Sequence, residues 1–327
     1  PVLRLSASQL SFAVTPEASS PPPQQIAVSN AGFGTLSWRA TAVTFNGGAW
    51  LTITPGASSV TVAVDAAGLP GGSYAGRITF TAEGATNSPL PAPVALTVER
   101  LRPQFTRETV VNAASLQAGR LAPGEIVSIF GSRLGPAGTT VTFDGLQAPL
   151  LFSSYYQLNL VVPFGVAGKT SARLAVSAAG TDPAEIAVTI AEAAPGLFTV
   201  DGRRAAALNQ DGVLNSPESP APPGSIVQLF LTGQGLLDPR VETGAPAPLA
   251  PPWPAPVLPV RVAINALEAV VRFAGLAPGT VGLAQLNVEI PREVASSDWV
   301  RVVVSIGGIE APPVFIAVRP FSGSLPR

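Results

Sequence analysis

The stretch Pro123-Gly124-Glu125-Ile126-Val127-Ser128-Ile129-Phe130 returns one hundred positions later as Pro223-Gly224-Ser225-Ile226-Val227-Gln228-Leu229-Phe230. Two more blocks recur in the same order. Gln157-Leu158-Asn159-Leu160-Val161-Val162-Pro163 matches Gln285-Leu286-Asn287-Val288-Glu289-Ile290-Pro291, and Arg173-Leu174-Ala175-Val176-Ser177-Ala178-Ala179-Gly180 matches Arg301-Val302-Val303-Val304-Ser305-Ile306-Gly307-Gly308. Blocks repeated in order mean that one small β domain occurs twice. The first blocks are 100 residues apart and the later ones 128, so the second copy must hold extra loop, most of it in the proline-dense residues 238–259.

Composition agrees with a chain of short strands. The 35 prolines and 32 glycines in 327 residues are spread between apolar runs, which is the punctuation of strands joined by turns. The chain is 46% hydrophobic and 12% charged with a net charge of -1, and Lys169 is its only lysine. No basic face is implied, so nucleic acid is not an expected partner. Mean hydropathy is +0.37. No uninterrupted apolar run reaches the ~18 residues of a membrane span, so the apolar side chains are expected in cores or between subunits.

Residues 1–99 read as one further sandwich. Leu10-Ser11-Phe12-Ala13-Val14, Gln25-Ile26-Ala27-Val28-Ser29 and Ser59-Val60-Thr61-Val62-Ala63-Val64 alternate apolar and polar, the period of strands with one buried face. Turn signals at Asn46-Gly47-Gly48 and Gly68-Leu69-Pro70-Gly71-Gly72 separate such runs. Trp38 and Trp50 are expected to fill this core. The fold expected for the whole is all-β: three immunoglobulin-like sandwiches in series, the second and third an internal repeat. The expected divisions are residues 1–99, a charged linker 100–112, sandwich 113–198, a connecting hairpin 199–216, sandwich 217–320 and a tail 321–327.

Two resemblances extend this reading. Leu10-Ser11-Phe12, Ile26-Ala27-Val28-Ser29-Asn30, Trp50-Leu51, residues 68–76 and Val94-Ala95-Leu96-Thr97-Val98 resemble the BACON domain, an immunoglobulin-like module of secreted bacterial proteins. That resemblance implies carbohydrate or mucin binding without naming residues for it. From Val110 onward, Val111-Asn112-Ala113-Ala114-Ser115, residues 121–131, Ala194-Pro195-Gly196-Leu197-Phe198 and residues 206–212 resemble an uncharacterised C-terminal domain family of secreted acidobacterial proteins of the Solibacter type. It implies location and architecture, not activity. Each half also resembles immunoglobulin-like domains of receptors and transcription factors, with a G-x-x-L-G turn at Gly131-Ser132-Arg133-Leu134-Gly135 and a counterpart at Gly233-Gln234-Gly235-Leu236. These glycines are expected at positive φ.

Little in the sequence speaks for a reaction. Histidine and cysteine are absent, which removes the Ser-His-Asp triad and the usual zinc, iron–sulfur and thiol ligands. Glu83, Asp144, Glu185, Glu289 and Glu293 are dispersed over turns and outward strand positions, unlike the paired carboxylates of a glycosidase. Asp201, Asn209, Asp211 and Asn215 offer oxygen ligands suited to calcium, or ordinary turn chemistry. No catalytic, cofactor or metal residue is assigned, and no cofactor is expected.

The residues with contact potential are aromatic: Trp253 in the proline-rich insertion, and Tyr155 and Tyr156, of which a strand would turn one outward. Each suits a carbohydrate or a subunit contact. Missing methionine and the Pro1 start suggest a chain processed by signal-peptide removal, extracellular or at a cell surface. The expected function is non-catalytic and structural, self-assembly into a filament or surface layer, with copies of itself as partner and residues 1–8 and 319–327 as connectors. The alternative is a carbohydrate-binding or adhesion module with polysaccharide as partner.

Overall fold

The computed structural model describes residues 1–15, 20–99, 102–135, 138–178 and 181–319. The regular structure is strand apart from two 3-10 turns among the described residues, and the chain divides into two compact units, 1–102 with 180–182, and the remainder. The tail expected at 321–327 lies outside the described residues.

The first unit is an immunoglobulin-like sandwich. One sheet runs in the order Leu3–Leu5, Gln24–Asn30, Ser59–Val64, Leu51–Pro55, and the other in the order Leu10–Val14, Leu90–Val98, Gly72–Ala82, Trp38–Thr44. Leu10–Val14 lies parallel to Leu90–Val98 and every other pair is antiparallel. In immunoglobulin lettering this is A-B-E-D facing A′-G-F-C. The period-two sequence produces it directly, since Ile26, Val28, Val60, Val62, Ile78, Phe80, Ala92, Val94 and Leu96 all face one core. Tyr74, near the start of the F strand, donates its hydroxyl to the Pro70 carbonyl at 2.6 Å, the tyrosine corner that closes such sandwiches.

The second unit holds the repeat. In its first copy, Val110–Asn112, Ile126–Phe130, Gln157–Val161 and Leu150–Ser153 form one sheet, facing Arg120–Leu121, Ala184–Ile190, Ser171–Ser177, Thr140–Phe143 and Leu146–Ala148. In the second copy, Gly196–Leu197 and Leu208–Asn209 pair with Ile226–Thr232, followed by Ala284–Glu289 and Leu267–Leu276. The long strand Leu267–Leu276 bends into the facing sheet, where it meets Val260–Ile264, which pairs with Ser297–Ile306. Val314–Val318 continues that sheet.

The registers coincide residue by residue. Ser128 faces Asn159 as Gln228 faces Asn287, and Val141 faces Val176 as Val262 faces Val304. Gln157 Nε2 donates to Asn159 Oδ1 at 2.9 Å, and Gln285 Nε2 to Asn287 Oδ1 at 2.8 Å. A bulge falls at the same step, between Leu150 and Phe152 and between Val271 and Phe273. Two correspondences escape a reading by identity alone. Asn112 and Asn209 occupy equivalent places opposite Val127 and Val227. The turns Asp144-Gly145 and Asn265-Ala266 both have positive φ and close equivalent two-residue hairpins.

Several expectations are corrected. The stretch 100–112 is not all linker: Val110–Asn112 is the first strand of the second sandwich and Val110 lies in its core, because its N–H and C=O groups complete the Ile126–Phe130 edge. The stretch 199–216 is likewise not only a connector, since Leu208–Asn209 joins the third sandwich. Pro1 to Ser8 is no free connector, because Leu3–Leu5 pairs with Gln24–Asn30 and Leu3 is buried. Gly131 and Gly135 are not at positive φ. A Cβ there would sit 2.0 Å from the Gln104 carbonyl oxygen and 2.1 Å from that of Ser154, so close approach of backbones demands glycine, and Arg133 takes the positive φ instead. Gly233 and Gly235 have both reasons, with φ of 82° and 81°. Trp50 is in the core as expected, 2% exposed with its Nε1 donating to the Asn46 carbonyl. Trp38 is only half-buried against Phe80.

Two stability outcomes follow. Trp50→Ala should cost about 3–5 kcal/mol, as truncation of a fully packed aromatic does, and Trp38→Ala clearly less. Ala266, at a φ of 65° where the first copy has Gly145, carries the left-handed penalty of an L-residue. Ala266→Gly should raise stability by roughly 0.5–1 kcal/mol in urea denaturation, and Gly145→Ala should lower it.

Candidate functional site

The half-burial of Trp38 has a geometric cause. It is the first residue of the strand Trp38–Thr44, opposite Ala82, the last residue of Gly72–Ala82. Its ring packs on Phe80 at 6.1 Å between centroids, at the open end of the first sandwich. Around it Ser37, Trp38, Arg39, Thr81, Ala82 and Glu83 line a cleft of about 430 Å³. Arg39 and Thr81 face each other across the strand pair, and among the described residues no ion pair or side-chain hydrogen bond occupies Arg39 or Glu83. An aromatic surface flanked by free donors and acceptors can stack on the apolar face of a sugar ring while bonding its hydroxyls.

The three aromatics singled out in the sequence lie elsewhere and do not converge. Tyr155 and Tyr156 are not on a strand. They form the turn between Leu150–Ser153 and Gln157–Val161, closed by Ser154 N–H donating to the Gln157 carbonyl, so both are exposed and meet edge to face at 4.7 Å. Trp253 sits in the insertion and packs edge to face on Phe273 at 5.8 Å.

Trp299 drew no attention in the sequence, because nothing local marks it. It is 44% exposed, but Arg204 lies 3.8 Å and Arg203 4.9 Å from its ring centroid, with Phe315 at 5.7 Å. Its π surface is engaged by these guanidinium groups, and Arg204 is held there by donating to the Asp298 carbonyl at 2.9 Å.

The carboxylates do not assemble. Asp144 binds Lys169 at 2.7 Å, Glu185 pairs with Arg173 at 3.5 Å and Glu289 pairs with Arg272. The oxygens suggested for calcium serve turns. Asp201 Oδ1 accepts from the N–H groups of Arg203 and Arg204, Asp211 Oδ1 from that of Val213, and Asn209 and Asn215 bond each other at 2.9 Å. Among the described residues no cluster of three or more acidic side chains could hold a metal.

One carboxyl is unusual. Glu125 is fully buried, and burial pushes it up to about 8. The Ala122 N–H donating to Oε2 at 2.6 Å and Asn112 Nδ2 donating to Oε1 at 2.9 Å act against that shift without cancelling it.

No family model and no curated protein matches the chain. Solved structures similar to it include the surface glycan-binding protein SGBP-B of the Bacteroides ovatus mixed-linkage glucan utilization locus, in complex with a mixed-linkage heptasaccharide (10% identity, 97% of this chain and 67% of that one, TM-score 0.30). Titin domains I67–I69 align at 11% identity over 97% and 98% of the two chains with a TM-score of 0.25. The human desmocollin-1 ectodomain aligns at 9% identity over 98% of this chain and 60% of that one, with a TM-score of 0.26. The strand order described above, rather than these scores, defines the immunoglobulin-like architecture.

Glu125 generates a pH prediction. Its folded-state value near 8 stands above the ordinary 4.5, so the fold favours the neutral acid. The stability this gives is complete below the ordinary value and is lost as pH rises through the folded one. Between pH 5 and 9 the urea midpoint of the wild-type chain should therefore fall relative to that of Glu125→Gln. Parallel curves would show that the carboxyl titrates normally.

Proposed function

We propose that this chain is a non-catalytic extracellular protein that binds carbohydrate, with Trp38 as the sugar platform and Arg39 and Glu83 as its polar rim. The observation that supports it is the Trp38 cleft, which Trp38 lines together with Ser37, Arg39, Thr81 and Glu83 where the strands Trp38–Thr44 and Gly72–Ala82 end. Glu83 is the one carboxylate among the cleft's described lining residues, an arrangement suited to holding a glycan rather than to the two-carboxylate chemistry of hydrolysis. The resemblance of this segment to BACON modules points the same way. Among the described residues no helix is long and apolar enough to cross a membrane.

A second reading, self-assembly into a filament, draws on apolar side chains in full view. Phe33 is 97% exposed at a loop of the first unit and Leu249 81% exposed in the proline-rich insertion of the second. Such residues are contact points when they recur on one molecule.

The two readings separate in solution. In affinity electrophoresis through soluble polysaccharides, the intact chain should be retarded by at least one glycan, and Trp38→Ala should abolish the retardation while the chain remains folded by circular dichroism. Retardation unchanged in Trp38→Ala would reject the site. Sedimentation that stays monomeric at high concentration, in wild type and in a Phe33→Asp, Leu249→Asp variant alike, would remove the filament reading.

A further inference from the structure

The repeat presents one sheet edge twice, once covered and once open. In the second copy the part of Leu267–Leu276 that lies beyond its pairing with Val260–Ile264 is an edge, and the chain's own proline-rich insertion covers it. Leu276 N–H donates to the Pro254 carbonyl at 2.8 Å, Trp253 packs on Phe273, and Leu237–Asp238 pairs with Ala255–Pro256 to hold the segment in place. Gly275 allows this approach, since a Cβ there would lie 3.0 Å from the Pro254 oxygen.

The equivalent edge in the first copy is Leu150–Ser153. The shared bulge and the shared asparagine register place Phe152 where Phe273 stands, and Tyr155 where Leu276 stands. Here the described residues of the shorter loop reach only the turn, where the Leu134 N–H donates to the Tyr155 carbonyl and the Gly131 N–H to that of Tyr156, each at 3.0 Å, and the Phe152 ring stays exposed. Phe152 is 49% exposed, Leu151 45%, Tyr155 47% and Tyr156 68%, whereas Leu276 is 2% exposed. No hydrogen bond among the described residues uses the Tyr155 N–H.

We propose that this open edge is a docking site for an extended, uncharged, proline-rich segment of a partner protein, one that carries an aromatic residue to cover Phe152 as Trp253 covers Phe273. Residues 150–157, Leu-Leu-Phe-Ser-Ser-Tyr-Tyr-Gln, carry no charge, and neither do residues 248–258, Pro-Leu-Ala-Pro-Pro-Trp-Pro-Ala-Pro-Val-Leu, which cover the second edge. The two surfaces therefore match in polarity. Extended segments recognise sheet edges through main-chain hydrogen bonds, and proline-rich ones recognise exposed aromatic rings with little ordering cost. The site is separate from the Trp38 cleft and its occupant is polypeptide, not glycan.

The test uses the intact chain and a fluorescein-labelled peptide of residues 248–258, read by fluorescence anisotropy and by amide hydrogen exchange. Saturable binding is expected, with new exchange protection at residues 150–156. Phe152→Ala and Tyr156→Ala should each weaken it roughly tenfold or more, as loss of an aromatic anchor does, and replacing the peptide's tryptophan by alanine should do the same. Both protein variants alter exposed side chains, and unchanged melting temperatures would show that they fold. Absence of saturable binding, or binding indifferent to Phe152→Ala, would overturn the proposal. So would concentration-dependent self-association abolished by Phe152→Glu without any peptide binding, which would assign the edge to a second copy of this chain.

Discussion

The Thr232 hydroxyl, fully buried in the second unit, accepts the Ile126 N–H at 2.8 Å and donates to the Gly282 carbonyl at 3.1 Å. Ile126 opens the central strand of one copy, and Thr232 closes the central strand of the other. A buried N–H without an acceptor costs free energy comparable to a lost hydrogen bond, so the Thr232 hydroxyl favours this arrangement of the two copies. Asn112 acts at the same seam. Its Nδ2 reaches both Glu125 and the Ala194 carbonyl, and Gly196 is glycine because a Cβ would stand 2.3 Å from Asn112 Oδ1. The chain therefore passes from one copy to the next over a buried polar cluster that fits a single route. The raised Glu125 carboxyl is the electrostatic consequence of that burial.

With the frame held in this way, the copies diverge where divergence costs the core nothing. Their central strands keep register to the residue. The loop that follows them is short in one copy and extended by a proline-rich segment in the other, and this difference leaves Phe273 packed against Trp253 and Phe152 exposed. Edges and loops carry recognition on rigid sandwiches because changes there leave the packed layers intact. In the first unit the Trp38 cleft likewise lies where two paired strands end rather than at their middles.

The features legible in the amino-acid sequence are those set by local chemistry. Period-two alternation placed the strands. The Pro-Gly turn before Ile126 and before Ile226 marked the repeat, and the spacing of its later blocks located the insertion. These signals are legible because pleat and turn conformation depend on neighbours in the chain. Tertiary structure alone decided which of Trp38 and Trp50 would be sealed, since a strand-end residue and a mid-core residue look alike until the opposing sheet is in place. It turned Val110–Asn112 from linker into strand, because the edge that accepts it belongs to residues 126–130. It also put Tyr155 and Tyr156 in a turn, set two arginines over the ring of Trp299 and buried Glu125. Except at the Tyr155–Tyr156 turn, which Ser154 and Gln157 close locally, the deciding group lies outside the local stretch, and burial and hydrogen bonding are properties of the pair it completes.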